Sequence, residues 1–152
     1  MTHTFLESSA LAKLFMEESG SSQLKKYITA SFQADKDCHV ASALAMLEVR
    51  SAIRRKQRMG LLSREDAVIA IQNLQEFWTG VTSQPLDSEV LKIAEANLDR
   101  AGLRTLDAIQ LACCMRFAQQ HPESRVVFVC CDLELLTTAT NEGFPTFNPA
   151  AS

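Results

Sequence analysis

An α/β fold with a mostly parallel sheet is predicted by three features of the chain. Short apolar segments alternate with amphipathic helical ones along its whole length. The most apolar short segment, Arg125-Val126-Val127-Phe128-Val129-Cys130-Cys131, has no polar face, as a central parallel strand requires. The chain has 152 residues, 47% hydrophobic and 22% charged, with 5 Gly and 4 Pro. That is the size and mix of one globular domain, read here as residues 1–152. At about 150 residues a fold buries roughly 68–70% of its unfolded surface, so no disulfide or metal staple is needed.

Each element follows in order. Thr4-Phe5-Leu6 reads as a short buried strand with Glu7 at its C-terminal end, and Ser8 or Ser9 caps a helix through Ala10–Met16. Gly20-Ser21-Ser22 breaks that helix, and a second runs from Gln23 to Phe32 with Leu24, Tyr27 and Ile28 at helical spacing. A polar loop from Ala34 to Asp37 leads to a strand at His39-Val40-Ala41. Ala43–Lys56 is rich in helix formers, closes at Gly60, and holds Glu48 as its one acid. Ser63-Arg64-Glu65-Asp66 matches a helix-start signal, and Val68, Ile71, Leu74, Phe77 and Trp78 follow at helical spacing. Pro85-Leu86 is read as a minimal strand. Asp87 then caps a helix from Ser88 to Arg100 that Gly102 ends. Thr105 caps the next helix, Leu106–Met115, which places Asp107 in its first turn. After the Arg125–Cys131 strand comes Asp132, a helix over Leu133–Asn141, a stop at Gly143 and an edge strand at Pro145-Thr146-Phe147.

Several function classes drop out. Eighteen acidic residues against fifteen basic ones give a net charge of −3, so there is no global basic field, and any nucleic-acid role must come from a local site. The five cysteines, Cys38, Cys113, Cys114, Cys130 and Cys131, show no zinc-site spacing and read as small core residues. No basic leader, and no apolar run approaching 18 residues, is present, which points to a reduced cytoplasmic protein without a membrane span. Neither phosphate-loop nor dinucleotide-binding glycine motifs occur. His3, His39 and His121 are isolated in sequence.

Four acids stand among apolar or small neighbours: Glu7, Glu48, Asp107 and Asp132. Burying several carboxylates together is costly unless a cation neutralises them. An all-oxygen donor set suits Mg²⁺ or Mn²⁺ better than zinc. In a parallel sheet, ligands bind beyond the carboxyl ends of strands near helix N-termini, where Glu7, Asp107 and Asp132 fall. Each acid also has a plainer reading, which for Glu7 is a site that has lost its first ligand. Glu48 can be a lysine-paired helix acid, Asp107 a first-turn acid favoured by the helix dipole, and Asp132 a strand-end turn residue.

Four segments in order resemble the PIN-domain nucleases, in particular VapC-type toxins of bacterial toxin–antitoxin pairs. They are Phe5–Leu14, Leu47-Glu48-Val49 with Arg58–Ser63, Gly102–Ala112, and Val127–Leu136. The resemblance implies a three-layer α/β/α domain that gathers Glu7, Glu48, Asp107 and Asp132 around one or two Mg²⁺ or Mn²⁺ ions. It implies hydrolysis of RNA phosphodiester bonds by a water that the metal acidifies. It also implies a cognate antitoxin, a homodimer, and a small hydroxyl, Ser9, near the metal or phosphate. Two positions depart from the family pattern: Glu7 stands where Asp is usual, and Cys130 where Thr or Ser is common. Glu reaches about 1.5 Å further than Asp, one carbon–carbon bond. The alternative is a catalytically weak or inactive PIN-like module that binds RNA or protein, and a receiver-type phosphoacceptor lacks its early acidic pair and late lysine here.

The basic residues are uneven. Arg50, Arg54, Arg55, Lys56 and Arg58 crowd one helix. At 100° per residue, Arg50, Arg54 and Arg58 form a stripe away from Glu48, whereas Arg55, seven residues on, shares its face. Arg55 is therefore the better phosphate contact. Arg104, next to Asp107, is a second candidate for RNA phosphate or an antitoxin.

Overall fold

The computed structural model describes residues 1–33 and 37–151. The polar loop expected from Ala34 lies, at 34–36, outside the described residues. The strands are β1 (Thr2–Leu6), β2 (Asp37–Ser42), β3 (Val81–Gln84), β4 (Arg125–Val129) and β5 (Thr146–Phe147). They form one sheet in the order β3-β2-β1-β4-β5, with every pairing parallel. The helices are α1 (Ser8–Leu11), α2 (Ser21–Gln33), α3 (Ala45–Arg58), α4 (Arg64–Trp78), α5 (Ser88–Ala101), α6 (Thr105–Gln120) and α7 (Leu133–Asn141). A 3₁₀ turn at Ala12–Leu14 extends α1.

Alternation along the strands divides the core in two. Phe5, Val40, Val126 and Phe128 pack with the buried sides of α5, α6 and α7, and the Phe5 and Phe128 rings stack 5.7 Å apart. Leu6, Ala41, Val127 and Val129 pack on the opposite face with Leu11, Leu24, Val49, Ile53 and Leu74. The result is the three-layer α/β/α arrangement expected, with Phe77 and Trp78 half-buried against the second core. Among the described residues, no helix is long and apolar enough to cross a membrane.

Strand order reverses between β1 and β4, because the chain leaves β1 toward β2 and returns later to pair β4 on its other side. Such a reversal opens a crevice at the strands' carboxyl ends. Glu7 N–H donates to the Val129 carbonyl at 3.1 Å, tying the residue after β1 to the last residue of β4 at that point.

Five of the local expectations that fail do so for a plain physical reason. The cap of α1 is Glu7, not Ser8 or Ser9, because β1 runs to Leu6 and leaves one extended residue before the helix. The helix carrying Glu48 begins at Ala45 rather than Ala43 and runs on to Arg58, because Ala43 N–H is drawn to the Gln84 carbonyl at 2.9 Å. The strand expected at Pro85-Leu86 is Val81–Gln84. Its Thr and Ser face outward at the sheet's edge, so it lacks an apolar signal, and proline lacks the N–H a ladder needs. Thr105 is the first helical residue of α6 rather than its cap, since Arg104 takes the extended conformation. β4 ends at Val129, two residues early, though Cys130 N–H still reaches the Phe147 carbonyl at 3.1 Å.

Candidate active-site cleft

Glu7 is held at the sheet's carboxyl edge by its own capping role. Its Oε2 accepts from Ser9 N–H at 3.0 Å and from the Ser9 hydroxyl. It is only 5% exposed. Burial pushes its carboxyl above the ordinary 4.5 and the charge of Glu48 adds to this, while Ser9 and the Cys130 thiol oppose the rise by hydrogen bonding. Burial and the charge of Glu7 in turn raise Cys130, so the thiol stays protonated and serves as a donor. The one thiol proton of Cys130 is shared between Glu7 and the Asp132 carbonyl, 3.7 Å from its sulfur.

Glu48 sits in the first turn of α3 and is braced from two other helices. The Ser8 hydroxyl donates to its Oε1 at 2.9 Å, and Gln110 Nε2 donates to the same oxygen at 2.6 Å. Gln110 Nε2 also lies 2.8 Å from Ser8 Oγ. Gln110 is 1% exposed, and its Oε1 is buried with no hydrogen-bond partner among the described residues. The sequence marks Ser8 only as a candidate helix cap and does not single out Gln110. A buried glutamine three residues after Asp107, on the inner face of a helix, was the available signal.

Asp107, in the first turn of α6, pairs with Arg104 through Nε at 3.5 Å, at the helix end that favours negative charge. Arg104 itself is 84% exposed. Glu7, Ser9, Glu48, Arg55, Arg104 and Asp107 all line one cleft of about 720 Å³. Small residues, Ala12, Ser51 and Ala52, keep it open, and the exposed Leu47 and Leu106 form part of its wall.

Asp132 differs from the other three acids. It does not line that cleft; it caps α7, its Oδ1 accepting from Leu135 N–H at 2.9 Å. A sulfur bridge links it back toward the site, since Asp132 N–H points at Cys130 Sγ at 3.3 Å and that thiol serves Glu7. Among the described residues, no three His, Cys, Asp or Glu side chains close around one point. The gathering of four acids expected from the sequence is therefore looser than foreseen. Each carboxylate is tied to a local partner, and like charges do not draw together without a cation between them.

The donor set still fits a small divalent ion. Mg²⁺ keeps several of its waters and takes one or two protein carboxylates beside substrate phosphate oxygens, so a closed protein cage is not required. The charge of Glu48 raising the buried Glu7 carboxyl is the repulsion that such a cation relieves.

Comparison with known proteins gives a consistent result. A family model described as the PIN domain matches residues 4–121. Ribonuclease VapC47 of Mycobacterium tuberculosis (strain CDC 1551 / Oshkosh) is 29% identical over 147 residues, 97% of each chain. Among solved structures, FitAB bound to an IR36 DNA fragment superposes with a TM-score of 0.66 at 15% identity, covering 98% of this chain and 96% of that one. A toxin–antitoxin complex from Klebsiella pneumoniae superposes with a TM-score of 0.64 at 16% identity, covering 97% and 98%. These two likenesses bear on the fold.

Proposed function

The chain belongs to the PIN-domain family, and from that premise we propose that it is a single-domain, divalent-metal-dependent endoribonuclease of the VapC type, cutting RNA phosphodiester bonds in the cleft of Glu7, Glu48 and Asp107. The observation that carries this reading is Glu7. A carboxylate 5% exposed, raised by burial and by a second carboxylate, opens on a cleft that also holds Asp107 and two arginines. Such an arrangement is costly as structure and useful as chemistry.

In this reading Glu7, Glu48 and Asp107 would hold Mg²⁺ or Mn²⁺, with Asp132, whose helix cap uses Oδ1 alone, as a fourth acid. When bound, the ion supplies Lewis acidity to the phosphoryl group and lowers the pKa of water at the site. The protein's own groups do the positioning. Ser8 and Gln110 occupy Oε1 of Glu48 and leave Oε2 to the cleft. Ser9 and Cys130 hold Glu7 ionisable despite its burial. Arg55 and Arg104 offer positive charge to the phosphates on either side of the carboxylates.

Cleavage of RNA by the purified protein with Mn²⁺, its loss in EDTA, and its loss in Glu48→Gln and Asp107→Asn tests this function. Retention of full cleavage in both variants overturns it. The name of one structural relative, a toxin–antitoxin complex, supports one further part of the proposal, a cognate antitoxin partner; a cytoplasmic location and a homodimer complete the proposal. A small DNA-binding protein encoded immediately upstream is the partner to seek. The second reading, a weakly active PIN-like binding module, draws on Glu7 standing where the family has Asp, and the Glu7→Asp variant separates the two.

A further inference from the structure

A second cleft, of about 380 Å³, abuts the first, and Ser9, Ala12, Ala52 and Arg55 line both. Its own wall adds Lys13, Lys56 and Glu18. The charges differ in kind from those of the acidic cleft. Of the four basic residues that line the two clefts, Arg104 is paired with Asp107 at 3.5 Å and Lys56 with Glu18 at 3.1 Å. Lys13 and Arg55 have no ion pair or hydrogen-bonded carboxylate among the described residues. Glu18, the one acid in the second cleft, is already taken by Lys56. Two unneutralised cations thus face a groove continuous with the acids, and the ligand that matches is a chain of phosphates.

Resting on the nuclease reading above, we propose that the second cleft is a phosphate-backbone subsite, in which Lys13 and Arg55 hold the single-stranded RNA on one side of the bond being cut. Arg55 follows Glu48 by seven residues on α3, about 10 Å along the helix axis at ~1.5 Å per residue. Contacts to phosphate alone make the subsite read charge, not base identity.

The test is binding of a fluorescein-labelled oligouridylate, followed by anisotropy in EDTA across a salt series, so that no turnover enters the measurement. For single strands each phosphate neutralised contributes about 0.7 to the slope of log K against log salt. Lys13→Gln and Arg55→Gln should each lower the slope by about that amount and weaken binding several-fold at low salt. Arg50→Gln removes the same charge from the same helix outside both clefts, and should change neither. An unchanged slope in Lys13→Gln and Arg55→Gln, or an equal loss in Arg50→Gln, overturns the subsite while metal-dependent cleavage by the wild type leaves the nuclease reading standing. Variants that lose polyglutamate binding but keep RNA binding also overturn it, in favour of an acidic protein segment. A wild type that neither binds nor cuts RNA removes both proposals.

Discussion

Gln110 Nε2 stands 2.6 Å from Glu48 Oε1 and 2.8 Å from Ser8 Oγ, closing a three-membered network across α6, α3 and α1. The amide's two hydrogens are both used in this arrangement. Turned over, it would aim a carbonyl oxygen at a carboxylate. The other end of the same amide, Oε1, is buried without a donor among the described residues, at a cost of order 1–3 kcal/mol. A glutamine kept there despite that cost is better explained by what its nitrogen holds than by packing.

Gln110→Leu should therefore separate positioning from stability. Leucine fills the space and removes the orphaned oxygen, so the melting temperature should move little. Glu48 loses its buried brace, and the loss of such supporting contacts at a metal site costs roughly 10–100-fold in metal affinity or activity. Mn²⁺ titration by calorimetry beside thermal melting checks both halves. Unchanged Mn²⁺ affinity with a large fall in melting temperature would make Gln110 a structural residue only.

Asp132 calls for two substitutions, because its cap and its proposed ligand role use different oxygens. Asp132→Ala removes the cap on α7, worth about 1 kcal/mol, or roughly 2–4 °C for a chain of this size. Asp132→Asn keeps an acceptor for Leu135 N–H and removes the charge. Cleavage should fall in both variants while only Asp132→Ala melts earlier. Full cleavage by Asp132→Asn would reduce the metal set to Glu7, Glu48 and Asp107.

The parts legible in the sequence are those set by burial and by long periodic segments. Val126 through Val129 announce a central strand because both faces are covered, and α4 and α5 announce themselves through Ser63 and Asp87, whose side chains do cap them. β3 was misplaced because an edge strand, Val81–Gln84, shows solvent its polar side chains. The acids were legible because carboxylates in apolar surroundings are anomalous in any sequence. Their supports were not. Ser8 and Gln110 are separated by 102 residues and meet only through the fold, and Lys13 looks like any helical lysine until Arg55 appears beside the same groove.

Glu7→Asp tests whether this site is adapted to the longer acid. Ser9 N–H, the Ser9 hydroxyl and the Cys130 thiol are all placed for a carboxylate at the reach of glutamate. Aspartate caps helices well but withdraws its oxygens from the cleft by about 1.5 Å. Misplacement on the 1 Å scale can cost ~10²-fold in rate. The expected outcome is a drop in cleavage with unimpaired melting temperature, measured side by side in Mn²⁺. A large gain instead would favour the weakly active module over an enzyme built around Glu7.

Glu7 also sets a pH dependence whose sign is fixed by the direction of its shift. Burial, with the charge of Glu48, raises its carboxyl above 4.5 in the folded protein. Between the ordinary and the raised value, the folded chain keeps a proton that the unfolded chain has released, so stability falls as pH rises through that window and the whole cost stands above it. Glu7→Gln cannot ionise and keeps an acceptor for Ser9 N–H. Without metal, it should melt above the wild type at neutral pH, and the gap should close as pH falls below the raised value. Added Mn²⁺ should stabilise the wild type and leave Glu7→Gln nearly unmoved, because the charge of a bound cation would offset the Glu7–Glu48 repulsion only where both are charged. Melting curves of both proteins across pH, in EDTA and in Mn²⁺, check each step, and a gap independent of pH would show that Glu7 is not the strained carboxylate of this site.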